Sequence, residues 1–307
     1  MERKKRDNSL KAALIGYGYW GKIMYNYLCE NPFIELVKVC GIDLKEKGIF
    51  TKNIESVLSN SEIDMLFVCT PINAHYDICK RGLKAGKHIF CEKPTVKSRD
   101  DFMELEQISE NKGKILYTDY IYTVSPSICK MKEILGECGE IFLIKGEISQ
   151  FGNFYPEDYI YEVIGVHLIS VLAFLFEDVQ ILDYQFNGIH EFHNTYGCMS
   201  LKLKNNIKVL FELNLLHPKK VRTFSVYGSN GSIVFDMMDQ TTLRLCKYKE
   251  CNKGYIALER KEWKFDEFNN LENAIQDFIN CVNEKKNMKN KIVSRVVNQV
   301  LQKIDEI

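Results

Sequence analysis

The chain has 307 residues, of which 46% are hydrophobic, so it is long enough for two cores and rich enough in apolar side chains to fill both. Lys plus Arg and Asp plus Glu each total 41, which leaves no net field to draw the protein to nucleic acid or to a membrane surface. No apolar segment is long enough to span a bilayer, and the run behind the basic start Met1-Glu2-Arg3-Lys4-Lys5-Arg6 is too short for a signal-peptide core, so a cytoplasmic location is expected. The 11 cysteines are odd in number and form no CxxC, and Cys40, Cys69, Cys79 and Cys91 lie in apolar runs, as in a reducing compartment. Cys246, Cys251, His190 and His193 are too scattered for a metal centre, and no metal is expected.

The first element in chain order is the apolar strand Ala12-Ala13-Leu14-Ile15, followed by Gly16-Tyr17-Gly18-Tyr19-Trp20-Gly21 and a helix-compatible segment. Strand, glycine turn and helix in this order form the pyrophosphate-binding fingerprint of a dinucleotide domain. Backbone N–H groups at a helix N-terminus meet the negative charge there. A second strand, Glu35 to Ile42, ends at Asp43, at the spacing where a carboxylate takes the ribose 2′-hydroxyl and repels a 2′-phosphate. NAD is favoured over NADP, with Lys45 and Lys47 close enough in sequence to soften the preference.

A helix from Ile54 to Ser59 leads to a buried strand, Met65 to Cys69, which ends at Thr70-Pro71. A second helix carries Ile78, Leu83 and Ala85 to a C-cap at Gly86, and the strand His88 to Cys91 follows. Helix Arg99 to Asn111 and strand Lys114 to Thr118 complete an alternation that predicts a doubly wound parallel sheet. Beyond Tyr120 the pattern changes to helices at Ser127 to Leu135 and Val163 to Phe176 among strands at 140–147, 180–186, 198–203, 207–215, 221–227, 232–236 and 242–248. Turns at Lys204-Asn205-Asn206 and Gly228-Ser229-Asn230-Gly231 predict a mainly antiparallel sheet with helices on one side, closed by helices near 271–285 and 291–307. The expected division is an α/β Rossmann domain over 1–120 and an α+β substrate-binding and oligomerisation domain over 121–307.

Thr70-Pro71-Ile72-Asn73-Ala74-His75 and Glu92-Lys93-Pro94, with their spacing from the glycine turn and with His167 further on, complete a pattern. The chain closely resembles the glucose–fructose oxidoreductase, inositol dehydrogenase and rhizopine-catabolism (Gfo/Idh/MocA) family over nearly its whole length. The resemblance implies that Gly16, Gly18, Tyr19, Trp20, Gly21, Asp43, Thr70, Pro71, His75, Glu92, Lys93 and Pro94 border the cofactor. It places Lys93, often before a cis proline in the family, beside the nicotinamide. The segments Asp119 to Pro126, His167 with Ser170, and His217 to Arg222 with Gly228 are similar to bacterial sugar-nucleotide dehydrogenases of cell-surface polysaccharide pathways.

Oxidising a carbinol requires a base for the hydroxyl proton and a cation near the developing alkoxide. Lys93 supplies a fixed charge and His167 exchanges a proton near neutral pH. Alone, such a lysine reads as a solvated charge and such a histidine as an ordinary helix residue; the family pattern at both positions makes them the catalytic candidates. His75 reads as structural, and His88, His190 and His193 have no evident partners in the sequence.

The chain departs from the family at Val163, where an aspartate usually precedes the histidine, and at Leu168, where the branch often has another. Glu162 is the nearest substitute, although it falls on a different side of a helix. Tyr120 replaces a histidine common in the branch. Tyr120 and Tyr122 suit stacking on sugar faces or core packing, and Lys219, Lys220 and Arg222 suit a diphosphate, a uronate or a charged strand edge.

The expected activity is NAD-linked hydride transfer at a sugar or sugar-nucleotide ring position. The expected partners are a small-molecule substrate and further copies of the chain in a homodimer or homotetramer. The rivals are a nicotinamide-binding regulator resembling the yeast galactose-pathway repressor, and a reductase of a non-sugar substrate, resembling biliverdin reductase.

Overall fold

The computed structural model describes residues 9–155, 158–176, 184–186 and 195–306. His190, His193, the basic start and most of the strand expected at 180–186 lie outside the described residues. By contact the chain forms two units, one running to Asp119 and taking in Ala274–Asn298, the other comprising Tyr120–Asn273 and the residues from Gln299 onward.

In the first unit, β1 (Leu10–Ile15), β2 (Ile34–Cys40), β3 (Phe50–Thr51), β4 (Met65–Val68), β5 (His88–Cys91) and β6 (Leu116–Thr118) form one sheet in the order β3-β2-β1-β4-β5-β6. Its strands pair in parallel, as strands joined by helices must. The connecting helices are α1 (Tyr19–Glu30), α2 (Ile54–Leu58), α3 (Ile72–Lys84) and α4 (Arg99–Asn111). Asn53 caps α2 and Ser98 caps α4, each accepting two backbone N–H groups. The order reverses beside β1, so the glycine turn leaves the carboxyl edge at the switch point where such sheets bind ligands.

One face of this sheet buries Ala13, Ile15, Leu66, Val68, Ile89 and Cys91 against Ile78, Leu83, Phe102 and Leu105. The other carries an aromatic cluster in which Phe278 packs on Phe67, Phe90 and Tyr117, with Phe90 and Tyr117 stacked at 5.4 Å. Phe278 belongs to α7 (Asn270–Glu284), which precedes α8 (Met288–Asp305). Residues 274–298, expected with the second domain, group with the first unit because of this packing and because they satisfy the edge of β6. Asn287 donates to the Leu116 carbonyl, while Asn290 both accepts from and donates to the Thr118 backbone. Truncating Phe278 to Ala would cost about 3–5 kcal/mol, the usual range for a buried aromatic.

The second unit is built on an eight-stranded sheet in the order β14-β13-β12-β11-β7-β10-β9-β8. Its strands are β7 (Ile141–Phe151), β8 (Tyr184–Phe186), β9 (Tyr196–Lys202), β10 (Lys208–Asn214), β11 (Leu216–Gly228), β12 (Gly231–Asp236), β13 (Thr242–Cys251) and β14 (Gly254–Lys264). All neighbours are antiparallel except β7 and β10. Alternation along the strands buries Ile144, Ile148, Val209, Phe211, Leu213, Phe224 and Val226 on one face, and Lys145, Ser200, Leu210 and Glu212 are exposed on the other. Helix α6 (Val166–Leu175) covers the buried face; nine of its ten residues are buried, so no amphipathic stripe is needed. Gly146 permits the approach, since a Cβ there would stand 2.9 Å from Leu168 Cδ2.

Candidate functional site

Three glycines of the first turn serve three different ends. A Cβ on Gly16 would sit 2.4 Å from the Cys69 carbonyl oxygen, and its φ of +97° is a conformation that favours glycine. A Cβ on Gly21 would stand 2.0 Å from the Gly16 carbonyl, so this glycine closes α1 onto the turn. A Cβ on Gly18 would meet no protein atom within 4 Å. Gly18 is the N-cap of α1 and no side chain caps the helix, which leaves first-turn N–H groups open beside cleared space. These features fit a dinucleotide pyrophosphate.

Tyr19 opens α1 and is 81% exposed. Asp43 lies exposed in the turn Gly41–Leu44, where Leu44 N–H donates to the Gly41 carbonyl. The strand before it ends at Cys40 rather than at Ile42, because Gly16 N–H takes the Cys40 carbonyl and the chain then turns away.

His75, on α3 and 1% exposed, joins the two remaining loops. Its Nε2 lies 2.8 Å from the Thr70 carbonyl and its Nδ1 2.9 Å from the Pro94 carbonyl, so both ring nitrogens are committed to backbone. Pro71 is the N-cap of α3, and the Lys93–Pro94 peptide is cis. The Thr70 hydroxyl is buried with no protein partner among the described residues, a polar atom left for a ligand.

Glu92 leaves β5 with its N–H on the Val68 carbonyl at 2.9 Å, and the Trp20 indole N–H donates to its Oε1. Burial pushes the Glu92 carboxyl up to about 7, against the pull of Lys93 and a hydrogen bond from Asp119. Asp119, directly after β6, is held well above the usual carboxylate range by burial and by Glu92. Lys93 is half-buried beside this pair.

In the second unit, His167 is the second residue of α6 and the half-exposed member of an otherwise buried stretch. The Tyr122 ring meets it edge-on at 5.3 Å, and Arg222 Nη1 donates to the Tyr122 hydroxyl at 2.9 Å. Arg222 Nη2 donates to Gln150 Oε1 at 3.1 Å, and no carboxylate among the described residues pairs with this guanidinium. Glu162 is fully buried in the π-helical turn Tyr161–Gly165 and its Oε2 accepts the Tyr159 N–H at 2.8 Å, so one oxygen is spent on the backbone just ahead of that turn. Val163 follows it, buried. Tyr120 is buried at 2% exposure. Lys219 and Lys220 are exposed on a bulge of β11, between Leu216 opposite Phe151 and Val221 opposite Ser149. Arg222, then burial, lowers the Lys220 ammonium from its ordinary value.

Sequence reasoning passed over Asp119 and Gln150. Asp119 follows a strand at the same point as Glu92, and that shared offset was the available signal. His88 does have a partner: its Nδ1 accepts the Ile115 N–H at 3.0 Å, and burial with Lys114 lowers its imidazole to about 4. Among the described residues no group of His, Cys, Asp or Glu is placed to hold a metal, and no helix is long and apolar enough to cross a membrane.

Residues 10–120 match the family described as the oxidoreductase family, NAD-binding Rossmann fold. They belong to the Gfo/Idh/MocA oxidoreductase family. Among curated relatives, D-glucoside 3-dehydrogenase of Escherichia coli is 26% identical over 155 residues, 47% of this chain and 44% of that protein. The chain spans about half the length of the first curated relatives it matches, 58% of one and 42% of another. Among solved structures, UDP-N-acetylglucosamine 3-dehydrogenase GnnA from Acidithiobacillus ferrooxidans is 15% identical with a TM-score of 0.81, covering 96% of both chains. KijD10, a 3-ketoreductase from Actinomadura kijaniata solved with NADP, is 15% identical with a TM-score of 0.80, again over 96% of both. At such identities the likeness to these structures is one of fold.

Proposed function

We propose that the protein is an NAD-dependent oxidoreductase of the CH–OH type acting on a ring hydroxyl, or the matching ketone, of a sugar or sugar nucleotide. The observation that carries this reading is the Trp20–Glu92 hydrogen bond, which ties the glycine turn to the strand end bearing Lys93. Nicotinamide, when bound, accepts or donates the hydride. Lys93 polarises or deprotonates the reacting oxygen and His167 exchanges its proton. Asp43 takes the ribose hydroxyls. Arg222 and Lys219 meet an anionic group of the substrate, and Tyr120 and Tyr122 bound the sugar.

The names of the relatives support a sugar substrate, and D-glucoside 3-dehydrogenase, GnnA and KijD10 all concern position 3. A role in cell-surface polysaccharide or amino-sugar biosynthesis, and a cytoplasmic location, complete the proposal. So does assembly as a homodimer or homotetramer through the outer face of the eight-stranded sheet. That face carries a depression lined by Lys145, Glu147, Cys198, Glu212, Thr223 and Tyr227.

Val163 favours one second reading, a nicotinamide-binding regulator that has given up the carboxylate beside its histidine. Crystals soaked with NAD and a panel of sugar nucleotides test the proposal, with hydride transfer assayed in both directions. A ring carbon placed at nicotinamide C4 and turnover of that compound are expected. Ligand binding with no turnover across the panel would leave the regulator.

A further inference from the structure

We propose that Glu92 and Asp119 share one proton across the ends of β5 and β6, and that the pair, as positioning residues, sets the charge that faces Lys93. The inference rests on the reading of Lys93 as the group that meets the reacting oxygen.

The register of the sheet brings the two carboxyls together. Cys91 is opposite Thr118 in the parallel pairing of β5 and β6, so the next residue of each strand leaves the sheet at the same point. Asp119 N–H donates to the Cys91 carbonyl at 2.8 Å and Glu92 N–H to the Val68 carbonyl at 2.9 Å, which fixes both backbones. Asp119 is 1% exposed, and no N–H or hydroxyl among the described residues bonds either of its oxygens. Its side-chain hydrogen-bond neighbour is the Glu92 carboxyl. Two ionised carboxylates repel at that contact, whereas one proton between them turns it into a strong hydrogen bond.

The surroundings favour this state. The Trp20 indole N–H donates to Glu92 Oε1, the Lys93 backbone also donates to Glu92, and the Lys93 charge attracts both carboxyls. Among the described residues the other titratable groups facing the pair are Cys69, Cys91 and Tyr117, each pushed well above its ordinary value chiefly by burial, so they stay neutral. Lys93 therefore faces a single negative charge. Two charges would clamp the ammonium into an ion pair, and none would ease its loss of a proton to the low-dielectric surroundings. A shared proton holds the balance between these extremes near neutral pH, where either limb can be reached by small changes.

Trp20 reports on the pair without any substrate. The chain has two tryptophans, so in a Trp263→Phe background the fluorescence of Trp20 follows the ionisation of its partner Glu92. A transition near neutral pH is expected, abolished in Glu92→Gln. In Asp119→Leu, which deletes the donated proton, the midpoint should rise by about one unit, a tenfold change in the acid constant. In Asp119→Asn, whose amide still donates, the midpoint should stay close to that of the parent.

If the leucine variant fails to fold, infrared spectra decide the matter. At a pH above the fluorescence transition the parent should still show a protonated-carboxyl stretch, from the proton the pair retains, that is missing from Asp119→Asn. A parent without that band, or a fluorescence midpoint indifferent to Asp119→Leu, would overturn the proposal. The pH profile of kcat for NAD-linked turnover should move with the fluorescence midpoint, whereas a merely structural Asp119 would lower activity and leave the profile in place. A parent that shows the transition but turns over no substrate would sink the activity reading and leave the shared proton standing.

Discussion

Tyr122 stands edge-on to His167, with ring centroids 5.3 Å apart and planes at 85°, and the hydroxyl of the same tyrosine accepts from Arg222. The aromatic contact orients the imidazole, and the hydrogen bond ties that orientation to a guanidinium whose other side-chain partner among the described residues, Gln150, is neutral. A half-buried guanidinium with neutral partners keeps its full charge for an incoming anion. Arg222→Met should therefore raise KM for a phosphate- or carboxylate-bearing substrate by about tenfold or more and change kcat less, the pattern of lost uniform binding. Steady-state kinetics on a charged sugar and its neutral analogue would check this, and equal losses on both would remove the anion role.

The glycine turn separates binding from folding. Gly18→Ala meets no protein atom, so its melting temperature should stay near that of the parent while NAD affinity falls. Gly21→Ala forces a carbon to 2.0 Å from the Gly16 carbonyl and should destabilise the first unit by about 1–3 kcal/mol, the range for overpacking. Thermal melts with and without NAD distinguish the two. Comparable stability losses would contradict the assignment of Gly18 to the ligand.

Much of this was legible in the chain because local pattern and glycine chemistry agree in the first unit. Strand, turn and helix follow one another with short connections, and the helix expected from Arg99 to Asn111 forms over that span with its Ser98 cap. What escaped notice depends on partners distant in sequence. Nothing near Phe278 announces that it packs on Phe67 and Phe90, nor that Asn290 serves the edge of β6. Asp119 looks like a strand-ending turn residue until the register of β5 and β6 sets it beside Glu92. β14 was missed because its residues are exposed almost throughout, which erases the alternation that marks a half-buried strand. Val163, read in the sequence as a departure, is buried directly after Glu162. That Glu162 spends an oxygen on the Tyr159 N–H belongs to the π-helical turn Tyr161–Gly165 that leads into α6, a winding that an α-helical projection does not show.

Asp43 is exposed in the turn after β2, where a carboxylate accepts ribose hydroxyls and repels a 2′-phosphate. NAD(H) should bind more tightly than NADP(H), and Asp43→Ala should narrow the difference. Quenching of Trp20 fluorescence during titration reads both affinities; equal or reversed values in the parent would refute the assignment.

Two groups give opposite slopes to stability against pH. Glu92 has its folded value raised from 4.5 to about 7, so it contributes stability that is full below 4.5 and is lost as pH rises toward 7. His88 has its value lowered from 6.5 to about 4, so its contribution is full above 6.5 and is lost as pH falls toward 4. Chemical denaturation across this window should show Glu92→Gln gaining relative to the parent as pH rises. His88→Gln should gain relative to the parent as pH falls. A Glu92→Gln difference that is flat with pH would show that the carboxyl is ionised alike in folded and unfolded chains.

The last expectation separates an enzyme from a regulator. A group that acts in the transition state lowers kcat when removed, whereas a group that only supports the fold changes stability and leaves the surviving chemistry intact. Lys93→Met keeps most of the aliphatic stem and deletes the charge, so NAD binding should persist while turnover falls about a hundredfold or more, the scale of acid–base and electrostatic contributions. Deleting that charge also removes an attraction that holds the Glu92 carboxyl down, so the Trp20 transition should move upward in the same variant. His167→Asn should lose turnover similarly. Lys93→Met with full turnover and an upward-shifted transition would mean that the lysine serves the carboxyl pair and not the reaction. Full turnover in both variants would place the catalytic groups elsewhere.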